Sequence, residues 1–366
     1  LAPEVALAMR PFLEEEFGNP STTHWAGKRA RSAIENARGQ VAAFLGCEPS
    51  EIVFTSGGTE SNNLALAGVY FQYQGQSPPH FIISSVEHPS ITNTAAFLER
   101  LGAQLTQVPV DHFGLVDPEA VRRAIRPNTA LISVMHANNE VGTIEPIAEI
   151  SAIARKHGVL MHTDAAQSAG KLPLNVRDLD VDMLTVAGHK MYAPQGVGAL
   201  FIRHSVRLEP LLHGAGHENG RRAGTENVLE IVALGAACTL ADSRMDVSST
   251  RELRDHFWQL LCEQFGDRVV LNGHPEKRLP NTLNVSFVDH FGHEILSRLT
   301  DVAASTGSAC HAGNHQLSPV LRAMKVPEAV GLGAIRFSLG RNSTYDEVQT
   351  VVEQLIKVVP HSVSQR

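Results

Sequence analysis

The sequence predicts an α/β protein: a large domain on a mainly parallel sheet flanked by helices, then a smaller α+β domain at the carboxyl end. Three observations predict it. Between about residues 80 and 205, short apolar runs rich in β-branched residues alternate with helix-length amphipathic segments, the sign of a parallel sheet wrapped by helices. After about residue 245 the rhythm changes to amphipathic helices with alternating strands between them. The 366 residues, 43% of them hydrophobic, suffice for one large core or two ordinary ones.

Along the chain, residues 28–45 carry alanines, Ile34, Val41 and Phe44 on one face, which predicts a helix ending at Gly46. The triplet 52–54 leads into TSGGTESNN (55–63) and a helix beginning near Glu60. Strands are predicted at 81–86, 105–110, 130–136, 159–164, 183–187 and 198–203. The segments 117–125 and 147–157 between them have helical spacing, with acidic residues early and basic ones late, as a helix dipole favours. Beyond, 251–265 and 345–359 read as helices, and 282–288 and 334–339 as strands with one solvated face. The expected domains are 10–245 and 246–366, with residues 1–9 joining the second.

The net charge of −7 argues against a nucleic-acid or membrane-surface partner recruited by bulk electrostatics. Cys47, Cys238, Cys262 and Cys310 form no CxxC pair, so neither a disulfide framework nor a zinc site is indicated, and a reducing, cytoplasmic setting is expected. The most apolar stretch, 228–241, is interrupted by Glu230 and falls short of the roughly 20 residues that span a bilayer. No signal peptide is expected in the residues given.

The chemistry gathers at predicted strand ends. HTDAAQS (162–168) ends an apolar strand, where open α/β sheets place ligand-binding groups, so Asp164 faces a buried site. GHKMYAP (188–194) puts Lys190 beside His189, suited to a phosphorylated aldehyde held as a Schiff base, with Asp164 paired to a pyridinium nitrogen. In TSGGTESNN, small residues and the Thr59 hydroxyl make a phosphate cradle at a helix N-terminus, without the GxGxxG pattern or a P-loop lysine. Among eighteen histidines, none in HExxH or Cys/His metal spacing, His88 of SSVEHPS stands out, placed to stack on a cofactor ring and pass protons. No metal is expected. Cys310 lies in ASTGSACHAG (304–313), a stretch of small residues that would expose its thiol, whereas the other three cysteines sit in apolar helical segments. Arg336, a lone charge in AIRFSLG, has two readings: a carboxylate clamp or a structural salt bridge. GHENGRRAGTEN (216–227) reads by pattern as a surface loop.

Taken in order, FGNPS (17–21), TSGGTESNN, SSVEH, ANNEVGT, HTDAAQS, GHK, RRAGTEN, GSAC and IRFSLGR (335–341) resemble the cysteine desulfurases and selenocysteine lyases. These are fold-type I enzymes of the class V aminotransferase group that depend on pyridoxal 5′-phosphate. The resemblance spans essentially the whole chain. It implies that Lys190 holds the cofactor, Asp164 binds the pyridine nitrogen, and Gln167 and Asn139 lie near the ring hydroxyl and substrate. It implies that His88 stacks on the ring and that Gly58, Thr59 and His189 hold the phosphate. Thr225 would join them from the second subunit of a homodimer, which overturns the plain-loop reading of 216–227. Arg336 would hold the substrate carboxylate, and Cys310 would accept sulfur for delivery to an iron–sulfur scaffold or another acceptor protein.

Two features depart from the family pattern. Many desulfurases have serine where this chain has Ala187, which removes one phosphate contact. The stretch GSACHAGNHQLSP (307–319), with SSVEH and HTDAAQ, leans toward the selenocysteine lyases, while GSAC and RRAGTEN lean toward the desulfurases. The leading expectation is an L-cysteine desulfurase yielding L-alanine and a Cys310 persulfide; the alternative is a selenocysteine lyase. A class V aminotransferase in which Cys310 is incidental, and a catalytically idle scaffold, are more distant readings.

Overall fold

The computed structural model describes residues 1–73, 77–243, 247–306 and 316–359. The chain divides into two compact units, the first made of residues 1–108, 118–136 and 146–245 and the second of 109–117, 137–145 and 246–366.

The first unit is built on seven strands: β1 (Ile52–Thr55), β2 (His80–Ser84), β3 (Gln104–Val108), β4 (Thr129–Ser133), β5 (Leu160–Asp164), β6 (Met183–Ala187) and β7 (Gly198–Ile202). They lie in the order β1-β7-β6-β5-β4-β2-β3. The five from β6 to β3 run parallel, while β7 is antiparallel to both β6 and β1. The apolar runs become strands because a parallel sheet is covered by helices on both faces: all residues of β2, β4, β6 and β7 are buried. The triplet 52–54 becomes the edge strand β1. Helix Gly58–Gln72 contributes Leu64, Leu66 and Val69 to a core shared with Phe81, Ile83, Leu131 and Leu200.

This arrangement aligns the carboxyl ends of β2, β4, β5 and β6. Glu87 and His88 follow β2, Met135 and His136 follow β4, Asp164 ends β5, and the Gly188–Met191 turn follows β6.

Helix Pro3–Glu14 packs on helix Val228–Ser243, so residues 1–9 belong to the first unit and not to the second as expected. Val5 of that helix is fully buried. The second unit also claims two segments that the expected bounds of 10–245 placed in the first. Thr143 Oγ1 donates to Phe113 O at 2.6 Å, tying 137–145 to 109–117, and Asn284 Nδ2 donates to Glu140 O at 3.0 Å, tying both to the second sheet. Such pairings join residues distant in sequence and leave no local signal.

The second sheet has three antiparallel strands, β8 (Val269–Asn272), β9 (Thr282–Phe287) and β10 (Ala334–Ser338), in the order β10-β9-β8. Helices Val247–Phe265 and Tyr345–Val358 pack Phe257, Leu261, Val352 and Leu355 against Val285, Phe287 and Ile335. Thr344 caps the last helix in a reciprocal pair with Glu347. The expected solvated face of 282–288 is absent: β9 is central and all six of its residues are buried, with Asn284 and Ser286 satisfied by the Asn272 amide. Among the described residues, no helix is long and apolar enough to cross a membrane.

Candidate active site

In the first unit, Asp164 ends the central strand β5 and is 6% exposed. Its Oδ1 accepts the Ala166 N–H at 2.9 Å and its Oδ2 accepts the Asn62 amide at 2.7 Å. Burial pushes the carboxyl above the ordinary carboxylate range, with the Ala166 and Asn62 hydrogen bonds and the nearby His88 working against that push.

His88 caps helix Pro89–Arg100, its Nδ1 accepting the Ser90 N–H at 3.1 Å. Immediately before it, Glu87 is buried. Its Oε1 accepts both Ser84 Oγ at 2.5 Å and Met135 N at 2.9 Å, while Oε2 has no partner. Burial raises the Glu87 pKa to about 8, partly offset by those two donors, with Asp164 adding repulsion. Glu87 and Asp164 are thus two buried carboxyls, each accepting two hydrogen bonds and each raised by desolvation.

Lys190 sits in the tight turn Gly188–Met191. A Cβ on Gly188 would stand 2.9 Å from Val197 Cγ1 and 3.0 Å from Val197 O, so only glycine lets the turn close against β7. His189 follows, and partial burial together with the Lys190 and Lys171 charges lowers its pKa. Lys171 Nζ donates to Gln167 Oε1 at 3.1 Å and to Gln167 O at 2.9 Å, which occupies the Gln167 side chain with a cation that the sequence reading did not single out.

The glycine-rich segment opens helix Gly58–Gln72 from Gly57, whose φ of 146° lies in a region open to glycine. The helix's first amide groups have no intrahelical acceptor and stand ready for an anion. Gly58 faces β6: a Cβ there would lie 3.3 Å from the Ala187 Cβ. Ala187 thus stands beside the start of this helix.

Segment 216–227 is not a loose loop. Glu218 is buried, accepts Arg38 Nη1 and Nη2 at 2.9 and 2.8 Å, and accepts the Phe54 N–H at 3.0 Å. Arg222 reaches Glu60 through Nε and Nη2 at 2.9 and 3.3 Å. Thr225 then lines a cleft of about 190 Å³ with Thr55, Ser56 and Gly196.

In the second unit, Arg336 Nη1 donates to Asn139 O at 2.6 Å and its buried Nε has no partner. Burial lowers the Arg336 pKa, and Glu140 opposes that effect. A main-chain contact with an idle Nε leaves the guanidinium capacity for a carboxylate.

Cys310 lies outside the described residues. Of the others, Cys238 is fully buried and Cys47 half-buried, and burial pushes the Cys47 thiol up to about 12 and raises those of Cys238 and Cys262 as well. None of these three is an activated thiolate.

The sequence profile described as Aminotransferase class-V matches residues 1–351. The chain is 46% identical to a protein named cysteine desulfurase IscS from Dictyoglomus turgidum, over 99% of this chain and 94% of that relative. Among solved structures, a NifS-like protein superposes with a TM-score of 0.92 at 34% identity, covering 98% of this chain and 96% of its own. A structure described as SspA in complex with cysteine superposes at 0.82 with 38% identity, covering 93% and 95%.

Proposed function

The chain belongs to the aminotransferase class-V family, and from that premise we infer that it is an L-cysteine desulfurase dependent on pyridoxal 5′-phosphate. The observation that carries the chemistry is Asp164: a buried carboxylate at a strand end, its pKa raised by desolvation, fits a protonated pyridine nitrogen. Bound cofactor supplies an electron sink for the bonds around the amino acid's α-carbon.

The chain's own residues take the remaining roles. Lys190 would hold the cofactor, and its free Nζ would move the α-proton. Asp164 keeps the pyridine nitrogen protonated. Gly58, Thr59 and His189 hold the phosphate, joined by Thr225 of a second copy in a homodimer. Gln167 and Asn139 orient the ring and substrate, His88 stacks on the ring, and Arg336 holds the α-carboxylate. Cys310 attacks the substrate sulfur as a thiolate: the S–S bond forms as the carbon–sulfur bond breaks, and protonation of the carbon completes L-alanine. The persulfide passes to an acceptor protein, an iron–sulfur scaffold among the candidates, in a cytoplasmic setting.

The test is to incubate purified protein with cysteine and separately with selenocysteine, measure alanine, and weigh Cys310 by mass spectrometry. Alanine from cysteine with a sulfur adduct on Cys310, lost in Cys310→Ala, is the expected result. Negligible turnover of cysteine beside rapid turnover of selenocysteine would replace this reading with a selenocysteine lyase.

A further inference from the structure

The motifs that carry Asp164 and His88 lie on different elements, and two residues the sequence reading did not single out join them. Asn62, in the first turns of helix Gly58–Gln72, places Nδ2 2.7 Å from Asp164 Oδ2 and 2.8 Å from Ser90 Oγ. Ser90 Oγ stands 2.8 Å from His88 Nδ1, and the Ser90 backbone N–H donates to the same nitrogen at 3.1 Å. Asn62 and Ser90 are both buried.

The direction of this chain follows from which atoms carry hydrogen. An ionised carboxylate only accepts, so Asn62 must turn its NH2 toward Asp164. The second amide hydrogen then goes to Ser90 Oγ, which keeps its own hydrogen for His88. Nδ1 faces two donors and holds no proton itself. The neutral ring therefore carries its proton on Nε2.

We propose that Asn62 and Ser90 are positioning residues that hold His88 in the Nε2–H tautomer while Asp164 is ionised, making His88 a hydrogen-bond donor at Nε2. A nitrogen that already bears a proton cannot abstract another, so proton abstraction falls to Lys190. This rests on the reading that Asp164 and His88 serve the cofactor. The Asn62 Oδ1, buried and without a partner, marks the amide's orientation as set by its two N–H bonds and not by its carbonyl.

The experiment uses holoenzyme carrying 15N-labelled histidine, without substrate. The ring resonances lost in His88→Gln belong to His88. Wild-type protein is expected to show an unprotonated Nδ1 and a protonated Nε2. Ser90→Ala leaves the weaker backbone donor alone, so the two tautomers mix; Ser90→Thr restores the single form. Asn62→Leu breaks the chain one link earlier and should move the ring toward the same mixture. In Ser90→Ala, kcat for alanine formation should fall roughly tenfold, the size of one hydrogen bond, with KM changed by less than about twofold. A proton found on Nδ1 in the wild type, unchanged ring resonances in Ser90→Ala, or full kcat in that variant would each overturn the proposal. Absence of alanine formation from cysteine by wild-type enzyme defeats the functional reading alone, because the tautomer is read without substrate.

Discussion

Arg336 Nη1 donates to the main-chain oxygen of Asn139 at 2.6 Å, so backbone holds one end of the guanidinium while the Glu140 carboxylate acts on it electrostatically. With Nε buried and idle, the guanidinium keeps donors for a substrate α-carboxylate. Arg336→Lys preserves the charge but loses the planar fork. KM for cysteine is expected to rise roughly ten- to a hundredfold, as loss of a charge-assisted pair implies, with a smaller change in kcat; steady-state kinetics with cysteine checks it. An unchanged KM would assign the carboxylate to another residue.

Ala187 lies behind Gly58 in the proposed phosphate cradle. Ala187→Ser supplies the hydroxyl found in many desulfurases, at a buried position beside the helix start proposed to hold the phosphate. Cofactor release, followed by absorbance after dilution of holoenzyme, should slow by roughly two- to tenfold, the range of one net hydrogen bond. Release at the wild-type rate would show that the cradle is complete without it.

Glu87 makes stability fall as pH rises. Its folded pKa is about 8 against an ordinary 4.5, so the folded state binds one more proton than the unfolded state between those values. Its contribution is fully present below about pH 4.5 and is lost on approach to pH 8. Glu87→Gln mimics the protonated acid and removes this dependence. The variant should be more stable than wild type at pH 8, by about 1–4 kcal/mol, and the difference should vanish toward pH 5; urea unfolding at both pH values measures it.

His162 and His136 act in the opposite direction. His162 is fully buried between Ser133 Oγ at 2.8 Å and Thr185 Oγ1 at 3.1 Å, and burial lowers its pKa to about 3; burial lowers that of His136 to about 4. Both are neutral when folded but protonate near pH 6.5 when unfolded, so stability drops as pH falls from 6.5 toward 4. Each contributes a slope of about 1.4 kcal/mol per pH unit inside that window. In His162→Gln the acid limb of a plot of unfolding free energy against pH should be shallower, whatever the variant's stability at pH 7.

Much of the first unit's framework was legible because a buried parallel strand writes itself as an apolar run and its covering helix as a periodic one. Met183–Ala187 matches its expected bounds, and Asp164 stands at the strand end where its motif placed it. Three things were not legible. Strand β8 is a four-residue edge with two partly or wholly exposed positions, too short to show a period. The buried tie from Glu218 to Arg38 and the backbone of Phe54 spans more than 160 residues. Asn62 and Ser90 lay inside quoted motifs, yet nothing local marks which polar side chain of a helix turns toward a carboxylate.

The sequence by itself determined the fold class and the ordered motifs that identify the family, because hydrophobic periodicity and turn chemistry act over a few residues. Only the tertiary structure decided which residues share a charge or a proton. It buried Asp164 and Glu87, raising the pKa of both, and placed Asn62 and Ser90 between Asp164 and His88. Those properties depend on desolvation and on angstrom distances between elements far apart in the chain, and neither exists until the strands are side by side.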